Sequence, residues 1–315
     1  MLLMQILENL SARRIRVSFT VNGKTHLSAI LGAYLRNGFM YFAHQVEVDS
    51  GSTLADVIDA LPIPGDHPMY SYFKGGFPKG FFFDISGNKG ISFTKRDYCL
   101  YPEQEYSFNL VLIGRMANYE MHFMRALEML MVRGIGNPLV GLSVREIRSR
   151  NVSYAGFGEF AQDRKLGVRI ELQTPLCLVK NIGARSRNSF QDKMNGLPSF
   201  YQFVRSVMFR LYSLNVLYGN TDMTTLPNRK IDDALEAYLA PACEAIIRNV
   251  SFIQTTLYST PKKEVGKVME FTGYMGKMDV EEVWSAYYPL LKYAENFNVG
   301  NDIVYGLGAF KITLL

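Results

Sequence analysis

The chain has 315 residues, 48% of them hydrophobic and 20% charged, with a net charge of +5; this is enough apolar material for two packed domains and excludes a disordered chain. Three cysteines, Cys99, Cys177 and Cys243, stand far apart without a CxxC pair, which argues against a disulfide framework or a zinc site and for a reducing cytoplasm. The apolar start is cut short by Glu8, Arg13 and Arg14, too soon for a signal peptide or for the roughly 20 apolar residues of a membrane span.

In chain order, Ile15 to Val21 alternates apolar and polar residues, which predicts a strand. After the Asn22-Gly23 turn, Leu27 to Leu35 carries the spacing of an amphipathic helix. A Gly- and Pro-rich excursion from Pro62 to Gly80 reads as irregular, with a short strand at Phe81 to Ile85. Tyr106 to Ile113 predicts a strand, Tyr119 to Val132 a helix and Leu142 to Ile147 a strand.

A second series follows. Val168 to Leu172 predicts a strand that Thr174-Pro175 breaks, and Phe200 to Leu217 a helix. Asp232 to Arg248 reads as an inserted helix interrupted at Pro241. Phe252 to Leu257 and Val265 to Thr272 read as a hairpin, Val280 to Phe297 as a helix and Ile303 to Leu314 as the closing strand. Both series have the order β-α-β-β-α-β, so the predicted fold is α+β: two tandem ferredoxin-like (RRM-like) domains, 1–157 and 158–315, with the boundary in the polar stretch from Asn151 to Lys165. The open sheet face of this fold is a platform for RNA in some proteins and serves unrelated functions in others.

The positive charge is concentrated. Between Cys177 and Arg210 stand Lys180, Arg185, Arg187, Lys193, Arg205 and Arg210, against the single acid Asp192. Such a run is either a solvated face or a grip on a polyanion. Near the C-terminus lies a glycine-rich stretch, residues 298–310, between the last predicted helix and strand. The reverse order would be needed for a dinucleotide fingerprint; exposed backbone N–H groups there would instead suit phosphate oxygens.

Gly273-Tyr-Met-Gly276, Pro289-Leu-Leu291, Val299-Gly300 and Tyr305-Gly-Leu-Gly308 together resemble the C-terminal signature of CRISPR repeat-RNA endoribonucleases of the RAMP class. Thr174-Pro-Leu176 with the basic helix from Phe203-Val-Arg205 resembles the opening of that family's C-terminal domain. Leu112-Ile-Gly-Arg115, Tyr119, Ala126, Arg133-Gly-Ile-Gly136 and Ile30-Leu-Gly-Ala-Tyr34 resemble its N-terminal helix regions. The resemblance implies a metal-independent endoribonuclease without a cofactor. It cleaves the repeats of precursor CRISPR RNA by attack of a ribose 2′-hydroxyl on the adjacent phosphate, leaving a 2′,3′-cyclic phosphate. It also implies other CRISPR effector subunits or a second copy as partners, and no membrane. Where relatives carry histidine and lysine around the last glycine loop, this chain has Asn298 and Asn301.

For the proton transfers a group with a pKa near neutrality is needed, which favours histidine. His26, beside Lys24 at the start of the first predicted helix, stands where the family's acid–base group often lies; His44 is next in line. His67 lies in a Pro-rich loop, and His122 sits within a core-forming helix. A site without histidine would rest on Tyr34, Arg36 and Lys24. The expected RNA contacts are Lys24, Arg36, Lys180, Arg185, Arg187, Lys193, Arg205, Lys277, Gly300, Gly306 and Gly308. Two other readings stay open: a catalytically silent RAMP subunit of an effector complex, and a small-molecule α+β enzyme.

Overall fold

A computed structural model describes residues 8–60, 63, 70, 77–88, 91, 98–154, 164–177, 198–219, 228–258 and 270–315. The first series opens with β1 (Ser11–Val21). Ile15, Val17, Phe19 and Val21 are buried and Arg16 between them is exposed, the two-residue period of a half-covered strand. β2 (Thr25–Leu27) and α1 (Leu31–Ala43) follow. A short β3 (Glu47–Asp49), β4 (Ser52–Thr53) and α2 (Leu54–Asp59) come next, α2 opened by a capping box between Thr53 and Asp56. Then come β5 (Phe81–Asp84), β6 (Tyr98–Leu100), β7 (Tyr106–Ile113), a 3₁₀ turn at Gly114–Tyr119, α3 (Glu120–Arg133) and β8 (Leu142–Ser153).

The sheet runs β5-β7-β1-β8 with antiparallel neighbours, the ferredoxin-like order. Its inner face meets the helices through Phe39 of α1, whose ring lies 5.4 to 5.6 Å from those of Phe81, Phe83 and Phe123. Such aromatic pairs add about 0.5–1.5 kcal/mol each beyond the area they bury.

The second series repeats the plan with β9 (Lys165–Leu176), α4 (Phe200–Tyr218), α5 (Asn228–Leu239), β10 (Ile246–Val250), β11 (Ile253–Tyr258), β12 (Glu270–Trp284), α6 (Tyr287–Ala294) and β13 (Phe310–Leu314). Its sheet runs β10-β12-β9-β13, with β11 also on β12. The second strand of the motif is therefore split in two, and the order is otherwise the same. A capping box between Ser199 and Gln202 starts α4. The tandem ferredoxin-like fold expected from the order of elements is the one observed.

Several elements differ from expectation. β9 runs through Thr174-Pro175: the β9–β12 register shifts there, from Leu176 opposite Tyr274 to Leu172 opposite Gly276, so Pro175 sits in a bulge where no N–H is required. The stretch after Val280 is not a long helix. β12 continues to Trp284, with Met278 and Val280 buried and Lys277 exposed, and α6 begins only at Tyr287. α5 ends ahead of Pro241, and Ile246 to Val250 is a strand rather than more helix. The closing strand begins at Phe310, because Gly306 and Gly308 take positive φ. Most of the Pro62–Gly80 excursion, Val265 to Met269 of the predicted hairpin and most of the expected boundary, residues 155–163, lie outside the described residues.

The two halves touch at several points. The Tyr218 hydroxyl of α4 donates to the Pro78 carbonyl at 2.8 Å, and the Tyr293 hydroxyl donates to the Leu10 carbonyl. A Cβ on Gly32 of α1 would lie 1.9 Å from the carbonyl oxygen of Tyr305, so only glycine lets the C-terminal loop dock there. Among the described residues, no helix is long and apolar enough to cross a membrane.

Candidate functional site

On the outer face of the first sheet, away from the helices, Arg14 of β1 lies directly opposite Arg150 of β8, and Arg16 opposite Arg148. These four arginines, with Ser107 and Asn109 of β7 and the Ser86-Gly87 turn after β5, line a cleft of about 540 Å³. Like charges directly opposite each other on neighbouring strands are destabilising, and this face holds two such pairs side by side.

One carboxylate serves the floor of the cleft. Asp84, 1% exposed, forms an ion pair with Arg14, accepts from the Ser86 N–H at 2.9 Å, and accepts from Asn109 Nδ2 at 3.3 Å. Arg148 reaches outward to Glu146 at 2.6 Å, and Arg150 donates to Asn296 Oδ1 at 3.0 Å. Burial first, then the charge of Arg14, lowers the pKa of Arg150 from its ordinary value. No carboxylate among the described residues lies within ion-pair distance of Arg16. The cleft therefore carries an excess of positive charge that an anion would relieve.

None of these arginines was among the residues singled out from the sequence. The signal was present as Arg14-Ile-Arg16 and Arg148-Ser-Arg150, two Arg-x-Arg pairs at the edges of the predicted strands Ile15 to Val21 and Leu142 to Ile147. Strand alternation puts both members of each pair on one face, which a count of charge along the chain does not register.

A second group surrounds the start of α1. In and beside β2, Lys24, His26 and Ser28 are exposed while Thr25, Leu27 and Ala29 are buried, so the first three share a face. The Tyr34 hydroxyl accepts from the Ser28 N–H at 3.3 Å and lies 3.2 Å from Ser28 Oγ. Lys24 Nζ sits 5.3 Å from the centre of the Tyr101 ring. His26 is anchored through its backbone, its N–H donating to the Asn137 carbonyl at 3.1 Å and its carbonyl accepting from the Asn137 N–H at 2.9 Å. The expectation that His26 stands at the start of the first helix is corrected: it lies on a strand, and the helix begins only at Leu31. His44 caps the far end of α1; 13 residues at about 1.5 Å each put roughly 20 Å of helix between the two histidines, which belong to separate places.

The remaining expected contacts divide. Arg36 lies over the Tyr305 ring at 5.3 Å and ties α1 to the glycine-rich loop. Gly306 donates its N–H to the Ile303 carbonyl at 2.8 Å, and Gly308 its N–H to the Pro175 carbonyl at 2.9 Å. Both glycines are buried, so the expected role for their N–H groups in holding phosphate is corrected: those donors are used inside the fold. The positive φ of Gly308, where a Cβ would lie 1.7 Å from the Val299 carbonyl oxygen, explains the residue. Gly300 is half-buried with φ +93°. Arg205 is 3.9 Å from Glu236, and Lys277 is exposed 4.0 Å from Glu171. Arg210 is buried over Phe82, and burial lowers its pKa to about 10, so it adds nothing to a surface grip. Lys180, Arg185, Arg187 and Lys193 lie outside the described residues, as does His67.

Residues 170–310, a little under half of the chain, match the family model described as CRISPR-associated endoribonuclease Cas6. Among curated proteins, none matches the sequence. Among solved structures, a Cas6 product complex is similar over 96% of this chain and 100% of that one, with a TM-score of 0.53 and 12% identity. A partial Cas6-RT-Cas1–Cas2 complex is similar over 98% of this chain with a TM-score of 0.55 and 9% identity; this chain spans 47% of that longer one. The resemblance to CRISPR repeat-RNA endoribonucleases read from the sequence is borne out by the family match in the C-terminal half and by a shared fold along nearly the whole chain.

Proposed function

We propose that this chain, which matches the Cas6 endoribonuclease family from residue 170 to 310, holds the repeat of precursor CRISPR RNA on the outer face of its first sheet and cuts it beside β2. The observation that carries the binding half is the double like-charge contact of Arg14 with Arg150 and Arg16 with Arg148. Phosphates threaded between these guanidiniums turn a repulsive arrangement into an attractive one, with forked donors suited to phosphate oxygens.

Cleavage falls to the exposed strip of Lys24, His26 and Ser28 with the half-buried Tyr34 beside it. The ribose 2′-hydroxyl attacks the neighbouring phosphorus, the bond to the 5′-oxygen of the next nucleotide breaks, and a 2′,3′-cyclic phosphate remains. His26 takes the proton from the nucleophile or delivers one to the leaving oxygen. The Lys24 ammonium and the Tyr34 hydroxyl, steadied by Ser28, stabilise charge growing on the phosphate. The nucleophile belongs to the RNA itself, so no metal-bound water is required. From Arg16 to Val21, where β1 ends, is about 17 Å at 3.3 Å per residue, so one strand of RNA leaving the cleft along β1 travels towards Lys24 and His26.

The test pairs cleavage with binding. His26→Ala is expected to lower the cutting rate by roughly 10² to 10⁴ while repeat-RNA affinity stays within error. Chelators should leave the rate unchanged, and a 2′-deoxy substitution at the cut site should give bound, intact RNA. Normal cutting by His26→Ala sinks the histidine assignment. A wild-type chain that binds repeat RNA and never cuts it is the silent RAMP subunit instead.

A further inference from the structure

β2 belongs to a small sheet separate from the four-stranded one. On one side it pairs with β6, where His26 is opposite Cys99 and Leu27 opposite Tyr98; on the other, His26 is bridged to Asn137. Continuing the β2–β6 register by one residue places Tyr101 opposite Lys24, and the 5.3 Å between the Lys24 ammonium and the centre of the Tyr101 ring agrees with it. Residues directly opposite each other project from the same face of a ladder, so the phenol ring stands on the face that presents Lys24 and His26. Leu100, between Cys99 and Tyr101, is fully buried, as the two-residue alternation requires. Two residues along β2, at about 3.3 Å each, separate the Tyr101–Lys24 row from His26, a step that one nucleotide spans.

The backbone beneath the ring is fixed in advance. A turn from Tyr101 to Gln104, with Pro102 second, is closed by the Gln104 N–H donating to the Tyr101 carbonyl at 3.1 Å. The Tyr106 hydroxyl accepts from the Tyr101 N–H at 2.9 Å and donates to Gln104 Oε1 at 2.8 Å. Tyr106 is itself buried, its ring 5.8 Å from that of Phe19 in the core. Both clamps act on backbone atoms of Tyr101 and leave its half-buried ring beside Lys24. Beyond the ring the turn exposes Glu103 and Glu105, whose charges turn a phosphate chain away but not a neutral base. We infer that Tyr101 is the platform on which the base next to the scissile phosphate stacks, Lys24 taking the phosphate and the ring the base. An aromatic face accepts any base and favours those that stack best, so the site selects a purine there by the size of its ring system. This inference rests on the reading that places the cut beside β2.

A thermodynamic cycle on repeat-RNA binding tests it. Abasic nucleotides are placed one at a time along the RNA, and each RNA is titrated with wild type and with Tyr101→Ala. Tyr101→Ala should weaken binding of the intact RNA roughly 5- to 150-fold, the range for losing one aromatic stack. At one position beside the cut, an abasic nucleotide should weaken wild type by a similar factor and Tyr101→Ala by no more than about twofold further, because ring and base form a single contact. Tyr101→Phe keeps the ring and should bind like wild type. A pyrimidine in place of a purine at the coupled position should weaken wild type and leave Tyr101→Ala unchanged. A wild type indifferent to every abasic nucleotide beside the cut overturns the proposal without recourse to any variant. Independent losses at every position, a coupled position away from the cut, or Tyr101→Phe as weak as Tyr101→Ala overturn it as well. Failure of the underlying reading looks different: the wild-type chain then leaves the RNA uncut, or His26→Ala cuts normally, whatever the cycle shows.

Discussion

The outer faces of the two sheets share a strand order and differ in how their charges are arranged. On the first, Arg14 meets Arg150 and Arg16 meets Arg148 across the β1–β8 ladder. On the second, Arg169 stands opposite Asp279 and Lys277 opposite Glu171 across the β9–β12 ladder. Arg169 and Asp279 are joined by two hydrogen bonds of 2.7 and 2.8 Å, Arg248 reaches Glu281 at 2.6 Å, and Lys165 reaches Glu282 at 2.9 Å. One face satisfies its own charges and the other leaves cations for a partner. A shared fold therefore does not make both faces equal platforms; the register of charge across neighbouring strands decides which one attracts a polyanion.

The sharpest way to break this contrast is to reverse charge on each face. Arg16→Glu/Arg148→Glu should lower repeat-RNA affinity by roughly 10² to 10⁴, two charge-assisted contacts at about 1.5–3 kcal/mol each. The slope of log affinity against log salt should become shallower by about 0.7 for each phosphate of a single strand that is no longer neutralised. Lys277→Glu on the second face should change affinity little. Equal losses from both faces, read in one filter-binding series, would remove the distinction.

Asp84 tests the first face from the opposite direction. Asp84→Asn removes the carboxylate that holds Arg14 and should cost about 1–3 kcal/mol of stability, seen as a lower denaturant midpoint. The same change adds net positive charge to the cleft, so RNA affinity should rise several-fold at low salt while stability falls. If affinity falls together with stability, Asp84 acts mainly by positioning Arg14.

The smallest effect is expected on the self-satisfied face. The hydrogen bond from Arg169 holds the Asp279 carboxyl below its usual range. A depressed folded pKa stabilises above the unfolded value, about 3.9, and that contribution disappears as pH falls through the folded value. Asp279→Asn should cost less than about 1 kcal/mol at neutral pH, since Arg169 is partly exposed to water. Melting temperatures of wild type and variant should converge as the pH is lowered below about 4. A constant gap would show that Asp279 acts through packing rather than charge.

Much of the fold was legible because its signals are local. The alternation around Ile15, Val17 and Phe19, the run from Tyr106 to Ile113, and the helical spacing from Phe200 to Leu217 each identify an element from neighbours in the chain. The order of those elements, repeated twice, then leads to the tandem fold. The stretch from Val280 failed because Val280, Val283, Trp284 and Tyr287 fit helical spacing as well as a bulged strand. Only pairing with β9 selects between the two.

The candidate site was less legible, and for a common reason. Arg14 and Arg150 are 136 residues apart in the chain and directly opposite in the sheet. Arg210 belongs to a basic run in sequence and is buried against Phe82. Gly306 and Gly308 read as open donors, yet Ile303 and Pro175 take their N–H groups. By itself the sequence determined the periods of strands and helices, the doubled ferredoxin-like order and the family resemblance. The tertiary structure decided which charges face each other, which cations reach water and which donors are already used. Those properties depend on cross-strand register and on contacts between the two halves, and both are set by packing between residues far apart in the chain.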